Sequence, residues 1–363
     1  MRLARPLSVF VLAMLAGCML PRPPVADYTA NCLVPGPPPA GAILFLTTRL
    51  PDCRDPGGTR MSWHRGEQPW HGVWAANGPQ FYRHEQWITE LDRQLAAYPE
   101  TPVLYIHGFN NDNGAALSRA AAIRLAVGGD RPVIALTWPS YASKRKYFWD
   151  EANAEWTVHA GRDLLEQFAK RQTKVIIVAH SMGNRIALDL LRSWPTDKGP
   201  LPVEKLIMAS PDVDRDWFAK ELGRGFGAPI TLYGSTRDQA LSASWRSHGY
   251  ARAGDLSRWV SGHDFADPFP YRGATGMFVV VDTSDIAKGI ANHADFIESW
   301  QGAADLCRVI TGVDPSLGRS DTDEPQMKRL RREPETGDPC TAAGGSAARY
   351  LNPGIELPNS ISP

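Results

Sequence analysis

The segment from Lys174 to Asp189, K-V-I-I-V-A-H-S-M-G-N-R-I-A-L-D, constrains this chain more than any other. Val175, Ile176, Ile177 and Val178 form an unbroken β-branched run, the pattern of a parallel strand buried on both faces. Beyond Gly183, the residues Ile186, Leu188, Leu190 and Leu191 take up a helical rhythm. A strand that becomes a helix within three residues leaves Ser181 strained and exposed above the sheet. Small residues at Ala179 and Gly183 suit such a turn, because a larger Cβ would strike the packed strand or helix. The pattern is the nucleophile elbow G-x-S-x-G, with Ala179 in place of the first glycine. The plainer alternative for Ser181 is a loop serine that caps the helix.

Composition matters mainly by what it excludes. A chain of 363 residues with 43% hydrophobic content can hold one large α/β domain with additions, or two small domains. Lys plus Arg equals Asp plus Glu at 39 each, so charge gives no case for a nucleic-acid partner. Thirty prolines gather towards the two ends, which marks linkers there and a folded centre.

Arg2 and Arg5 precede an apolar run from Leu7 to Leu15, too short to span a membrane but suited to a secretory signal. The residues that close it, L-A-G-C, resemble the bacterial lipobox, which implies a lipid anchor on Cys18. Met19 is not aspartate, which favours the outer membrane, facing the periplasm, over inner-membrane retention. An ordinary cleaved signal peptide is the alternative. The remaining Cys32, Cys53, Cys307 and Cys340 suit disulfides in an exported chain, and three pairings are possible. Sequence proximity favours Cys32 with Cys53 and Cys307 with Cys340. No C-x-x-C or histidine cluster suggests a metal.

The expected organisation is a signal peptide over 1–17, a Pro-rich tether over 18–40, a folded domain over 41–313 and a disordered tail over 314–363. Strands are expected at Ala42 to Thr48, Val103 to Ile106, Pro132 to Trp138, Val175 to Val178, Leu201 to Ala209, Pro229 to Tyr233 and Met277 to Val281. Helices are expected at Glu85 to Ala97, Asn113 to Val127 and Trp149 to Arg171. Arg49 to Gly78 reads as a long irregular connection, and Phe81 as the start of a weak strand. Strands alternating with helices imply a mainly parallel sheet with helices on both faces, whose ligand crevice lies at the carboxyl ends of the strands. His107, Ser181, Asp212, Asp238 and His293 all fall just past such ends.

A serine nucleophile needs a base, and the base a third group to orient it. In folds built around this elbow the chain order is serine, acid, histidine. His293 follows the final strand and is the expected base, while His248 and His263 lie in the preceding excursion. Asp238 is the expected acid, with Asp212 and Asp214 as rivals after the previous strand. Both Asp212 and Asp238 could equally be helix caps. The oxyanion donors are expected to be the Met182 and Phe109 amides, with Gly108 letting the backbone approach. His107, Asn110 and Asn111 would support that loop.

Four ordered blocks carry a family resemblance: V-L-Y-I-H-G-F-N-N, A-H-S-M-G-N-R, A-S-P-D-V-D-R-D and I-T-L-Y-G-S-T-R-D-Q-A-L-S. Together they resemble a bacterial α/β-hydrolase family of unknown function, from about Thr101 to His293. H-G-Y-A-R-A-G-D, His248 to Asp255, resembles a further block of unassigned role. The resemblance implies the α/β-hydrolase fold and a Ser181–Asp238–His293 triad, and no substrate. The expected activity is hydrolysis of a small-molecule ester or lipid through a Ser181 acyl-enzyme, with no cofactor. A silent binding or scaffold protein on the same fold, and an acyltransferase, are the alternatives. Trp63, Trp70 and Trp74, and the segment Pro139 to Trp149, could form a lid or pocket wall, or could simply pack beneath loops.

Overall fold

The computed structural model describes residues 32–53, 60–75, 78–257, 271, 277–286, 291–332 and 338–353. Cys18, the rest of the expected signal segment, and His263 lie outside the described residues.

The chain has an α/β-hydrolase fold around one sheet. Its first part runs β1 (Ile43–Asp52), β2 (Arg60–Ala75), β3 (Gly78–Tyr82), α1 (His84–Ala97), β4 (Val103–Ile106), α2 (Asn113–Ala126) and β5 (Val133–Thr137). Next come α3 (Tyr147–Lys170), β6 (Val175–His180), α4 (Gly183–Arg192), β7 (Val203–Ala209), α5 (Arg215–Arg224), β8 (Ile230–Gly234) and α6 (Gln239–His248). The last part holds β9 (Phe278–Asp282), α7 (Asp295–Glu298), α8 (Trp300–Thr311), β10 (Arg319–Asp321), β11 (Met327–Leu330) and α9 (Pro339–Leu351).

The strand order is β10-β11-β9-β8-β7-β6-β4-β5-β1-β2-β3. Neighbours from β11 to β1 run parallel, and the antiparallel pairs sit at the two edges. Alternation along each central strand feeds two cores. Leu104, Ile106, Ile177 and Ala179 face the layer of α1, α3, α4 and α5. Val103, Tyr105, Ile176 and Val178 face the layer of α2, α8 and α9. Because both faces are covered, these strands read as continuous apolar runs, which is why they were legible in the sequence. The chain leaves β4 towards β5 and returns on its other side as β6, so the switch point lies between β4 and β6. In such sheets that is where the ligand crevice opens.

Three expectations are corrected. Arg49 to Gly78 is largely β1 and β2 rather than an irregular connection, with Ile43 opposite Trp74 and Phe45 opposite Gly72. A Cβ at Gly72 would lie 2.2 Å from the Phe45 ring, so this glycine makes room for an aromatic rather than a turn. Pro69 within β2 hid the strand from a composition-based reading. Trp70 packs edge-on against Phe81 at 5.8 Å, and Trp74 lies against the same core, so these two rings build the sheet edge. The Trp63 side chain lies outside the described residues.

The tether expected over 18–40 gives way to folded chain by Cys32. That residue is buried and bridged to Cys53, the Val34 amide donates to the Phe81 carbonyl at 2.9 Å, and Gln86 Nε2 donates to the Gly36 carbonyl at 2.7 Å.

The disordered tail expected over 314–363 is also corrected, for 314–332 and 338–353. β10 and β11 extend the sheet, and α9 lies on α8 with Cys340 bridged to Cys307. A Cβ at Gly344 would stand 2.4 Å from the Ala304 amide nitrogen, so the small residues of α9 allow a close helix contact. Buried ion pairs anchor the segment to α8: Arg319 donates twice to Asp305, at 2.8 and 2.7 Å, and Arg308 to Asp338 at 2.5 Å.

Candidate active site

Ser181 stands at the tip of the β6–α4 turn, buried rather than exposed, with φ +53°, a left-handed conformation that costs a non-glycine residue energy and is held by its surroundings. Its amide extends the ladder to the Ala209 carbonyl at 2.9 Å, and its carbonyl accepts from the Asn184 and Asp212 amides at 3.1 and 3.2 Å. Gly183 is required by space. A Cβ there would meet the His107 carbonyl oxygen at 2.5 Å and that of Ile106 at 2.8 Å. Gly108 brings the β4 loop against the same turn, where a Cβ would lie 2.7 Å from Ser181 Cβ.

The loop after β9 delivers His293, preceded by Asn292 at φ +48°. His293 Nδ1 lies 2.7 Å from Asp238 Oδ2. Donation from Nδ1 to the carboxylate leaves Nε2 as the free ring nitrogen. Burial pulls the His293 pKa down, but the Asp238 charge and hydrogen bond outweigh it, and the net shift is upward. Asp238 is fully buried, and its other oxygen accepts from the Leu241 amide at 2.9 Å. The two readings of Asp238, helix cap and partner of a histidine, therefore hold together. His180, next to Ser181, puts its Nε2 2.9 Å from the His293 carbonyl, which ties the elbow to the histidine loop. Asp295 is pushed up to about 6, by burial and then by the Asp238 charge.

The β4 loop is braced from three sides. Neutral His107 is sandwiched on Trp138, rings 4.8 Å apart; its Nε2 accepts from the Trp138 amide at 3.0 Å, and its Nδ1 lies 2.8 Å from the Gly108 carbonyl. Burial, then the Arg49 charge, lower its pKa to about 3. Asn110 turns the chain at φ +59°. Buried Asn111 donates to the Gly108 and Phe109 carbonyls at 3.1 and 2.9 Å, and receives Arg119 Nη1 at 2.5 Å and Arg49 Nη2 on its carbonyl at 2.8 Å. Arg119 also reaches Glu298 at 2.6 Å, so one side chain joins this loop to the helix beyond His293. Among the described residues nothing accepts a hydrogen bond from the Phe109 or Met182 amide.

Asp212 is engaged elsewhere. It accepts from Arg252 Nε at 2.7 Å and Ser244 Oγ at 2.6 Å, and the Tyr147 hydroxyl donates to its second oxygen. Burial would raise its pKa, but Arg252 and then Arg185 bring it to about 2. The helix cap that S-P-D-V-D offered at Asp212 is instead made by Asp214, which accepts from the Trp217 amide at 2.7 Å. Arg252 gives a use to the H-G-Y-A-R-A-G-D block: it supplies the cation for a buried carboxylate beside the elbow. His248 packs against Tyr147 at 5.3 Å, and Tyr147 in turn against Phe109 at 5.0 Å.

Residue-by-residue reading missed Arg119, Tyr147 and Arg252. Tyr147 fell in a segment marked for its aromatics and Arg252 in a marked block, whereas nothing local distinguishes Arg119. Among the described residues no group of three or more His, Cys, Asp or Glu could hold a metal ion, and no helix is long and apolar enough to cross a membrane.

Residues 84–302 match the family described as alpha/beta hydrolase of unknown function (DUF900). The product of the lin2722 gene of Listeria innocua aligns at 11% identity over 64% of this chain and 100% of its own, with a TM-score of 0.36. A Lactobacillus plantarum WCFS1 protein provisionally named a cell surface hydrolase aligns at 14% identity over 60% of this chain and 93% of its own, with a TM-score of 0.36. No curated protein matches the chain.

Proposed function

We propose that this chain, which belongs to the DUF900 family of alpha/beta hydrolases of unknown function, is a serine hydrolase that cleaves carboxylic esters through a Ser181 acyl-enzyme. The observation that carries the reading is the 2.7 Å hydrogen bond from His293 to buried Asp238, on a loop that His180 ties to a strained serine. A buried carboxylate on Nδ1 fixes the tautomer in which Nε2 can accept a proton. His293 takes the Ser181 hydroxyl proton as Oγ attacks the ester carbonyl, then returns it to the departing alcohol. A water molecule, deprotonated by the same nitrogen, hydrolyses the acyl-enzyme. The Met182 and Phe109 amides are the proposed oxyanion donors, each worth about 3 kcal/mol in the transition state. Asp238 is the acid of this proposal, and Asp212 a structural anion. From the lipobox-like L-A-G-C we further propose an envelope location, anchored through Cys18.

The test is labelling by a fluorophosphonate probe of the chain from Met19 onward, which retains every described residue. Labelling of the wild type, lost in Ser181→Ala and His293→Ala, is the expected result. A folded wild type that takes no label would overturn the mechanism and favour a binding module.

A further inference from the structure

The segment Tyr141 to Trp149, Y-A-S-K-R-K-Y-F-W, is unlike the rest of a chain with zero net charge: three consecutive cations and no carboxylate. Lys144, Arg145 and Lys146 immediately precede α3, where the helix dipole disfavours positive charge. Helix stability therefore does not account for them. The adjoining aromatics are exposed, Phe148 at 61% and Trp149 at 59%. Lys146 Nζ lies 4.7 Å above the Trp149 ring and 5.5 Å from that of Tyr141, so cation and aromatics form one assembled surface. Of the carboxylates at the start of α3, Asp150 is buried on Ser140 Oγ at 2.5 Å, and the half-buried Glu151 is paired with Arg185. Phe148 also packs on His248 at 5.9 Å, near the exposed Arg246 and Tyr250 at the end of α6.

We infer that this face docks on an anionic phospholipid surface. An exposed tryptophan such as Trp149 partitions into the headgroup region, an exposed phenyl ring such as Phe148 inserts beside it, and neighbouring cations complement anionic headgroups. A protein partner would be expected to supply carboxylates or an apolar pocket, whereas a lipid surface meets cations and planar aromatics together. Docking would bring the Tyr147–Phe109 side of the site, 5.0 Å between rings, next to the bilayer. The inference stands on this surface and does not require Ser181 chemistry.

The experiment is co-sedimentation of the chain from Met19 onward with phosphatidylcholine vesicles, with and without phosphatidylglycerol. Expected results are binding only when phosphatidylglycerol is present, release at high salt, and unchanged binding by Ser181→Ala. Each cation near an anionic surface contributes about five-fold in affinity, so a combined Arg145→Ala and Lys146→Ala variant should lose on the order of 25-fold. A Phe148→Ser/Trp149→Ser variant should also bind more weakly. Equal binding to both vesicle types, no binding to either, or salt-insensitive binding by the wild type would overturn the inference without reference to any variant's folding.

Discussion

Asp238 and His293 are separated by 55 residues in sequence and by 2.7 Å in space. Each belongs to a loop at the carboxyl end of a different strand, β8 and β9, and the loops are knit by the Gln239 amide on the Ala291 carbonyl at 3.0 Å. Asp238→Asn should preserve that framework but allow the wrong histidine tautomer. Ester hydrolysis is expected to fall by about 10,000-fold in kcat/KM. A loss below ten-fold, measured on a reporter ester, would remove Asp238 from the proposed triad.

The pH profile follows from the same pair. His293 must be neutral to accept a proton, and its pKa is raised above the ordinary value of about 6.5. The probe-labelling rate should therefore rise with pH, with its midpoint above that value. Asp238→Asn, which removes the largest charge raising it, should move the midpoint down. A midpoint unmoved by Asp238→Asn would show that another group controls the rate. In stability, the sign is that of a raised folded pKa: the pair contributes fully below the unfolded pKa and is lost as pH rises through the folded one.

Asp212 should govern stability more than chemistry. Replacing it by alanine leaves the guanidinium of Arg252 buried without its anion, a loss of about 3–5 kcal/mol in chemical denaturation. Its carboxyl is held at about 2, so its contribution is present above the unfolded pKa and is lost as pH falls through about 2. An Asp212→Ala protein as stable as the wild type would contradict this role.

Gly183 and Gly114 predict opposite outcomes from one substitution. A Cβ at Gly183 meets backbone oxygen at 2.5 Å, so Gly183→Ala should cost at least about 2 kcal/mol and abolish labelling. A Cβ at Gly114, in the first turn of α2, has its nearest neighbour at 3.4 Å, so Gly114→Ala should be neutral or stabilising by up to about 1 kcal/mol. Thermal unfolding of the two variants side by side is the check.

The C-terminal segment should behave as part of the domain. The Cys307–Cys340 bridge spans 33 residues, and replacing both cysteines by alanine should cost about 3–4 kcal/mol on the loop-entropy estimate. Truncation after Val313 should unfold the chain or expose its core to dye binding. A truncated chain with the wild-type midpoint would restore the tail reading.

What could be read from the sequence was local. The β-branched run Val175 to Val178, the small residues around Ser181 and the spacing of Ile186, Leu190 and Leu191 determine a buried strand, a tight turn and a helix within a few residues of one another. The same held for β4, β5, β7, β8 and β9, because strands covered on both faces need no alternating pattern to betray them. Chain order then narrowed the acid and the base to a few positions.

Tertiary structure decided what no window of sequence contains. Asp212 and Asp238 both follow strands and both lie near a helix start, so their local patterns are alike. Arg252 claims one and His293 the other, through the packing of the segment after α6 and the loop after β9. In the same way β2 carries Pro69 and α9 is rich in alanine and glycine, each poor evidence of structure alone. They fold because Phe45 fills the space above Gly72 and because Ala304 lies against Gly344, contacts that exist only once distant segments have met.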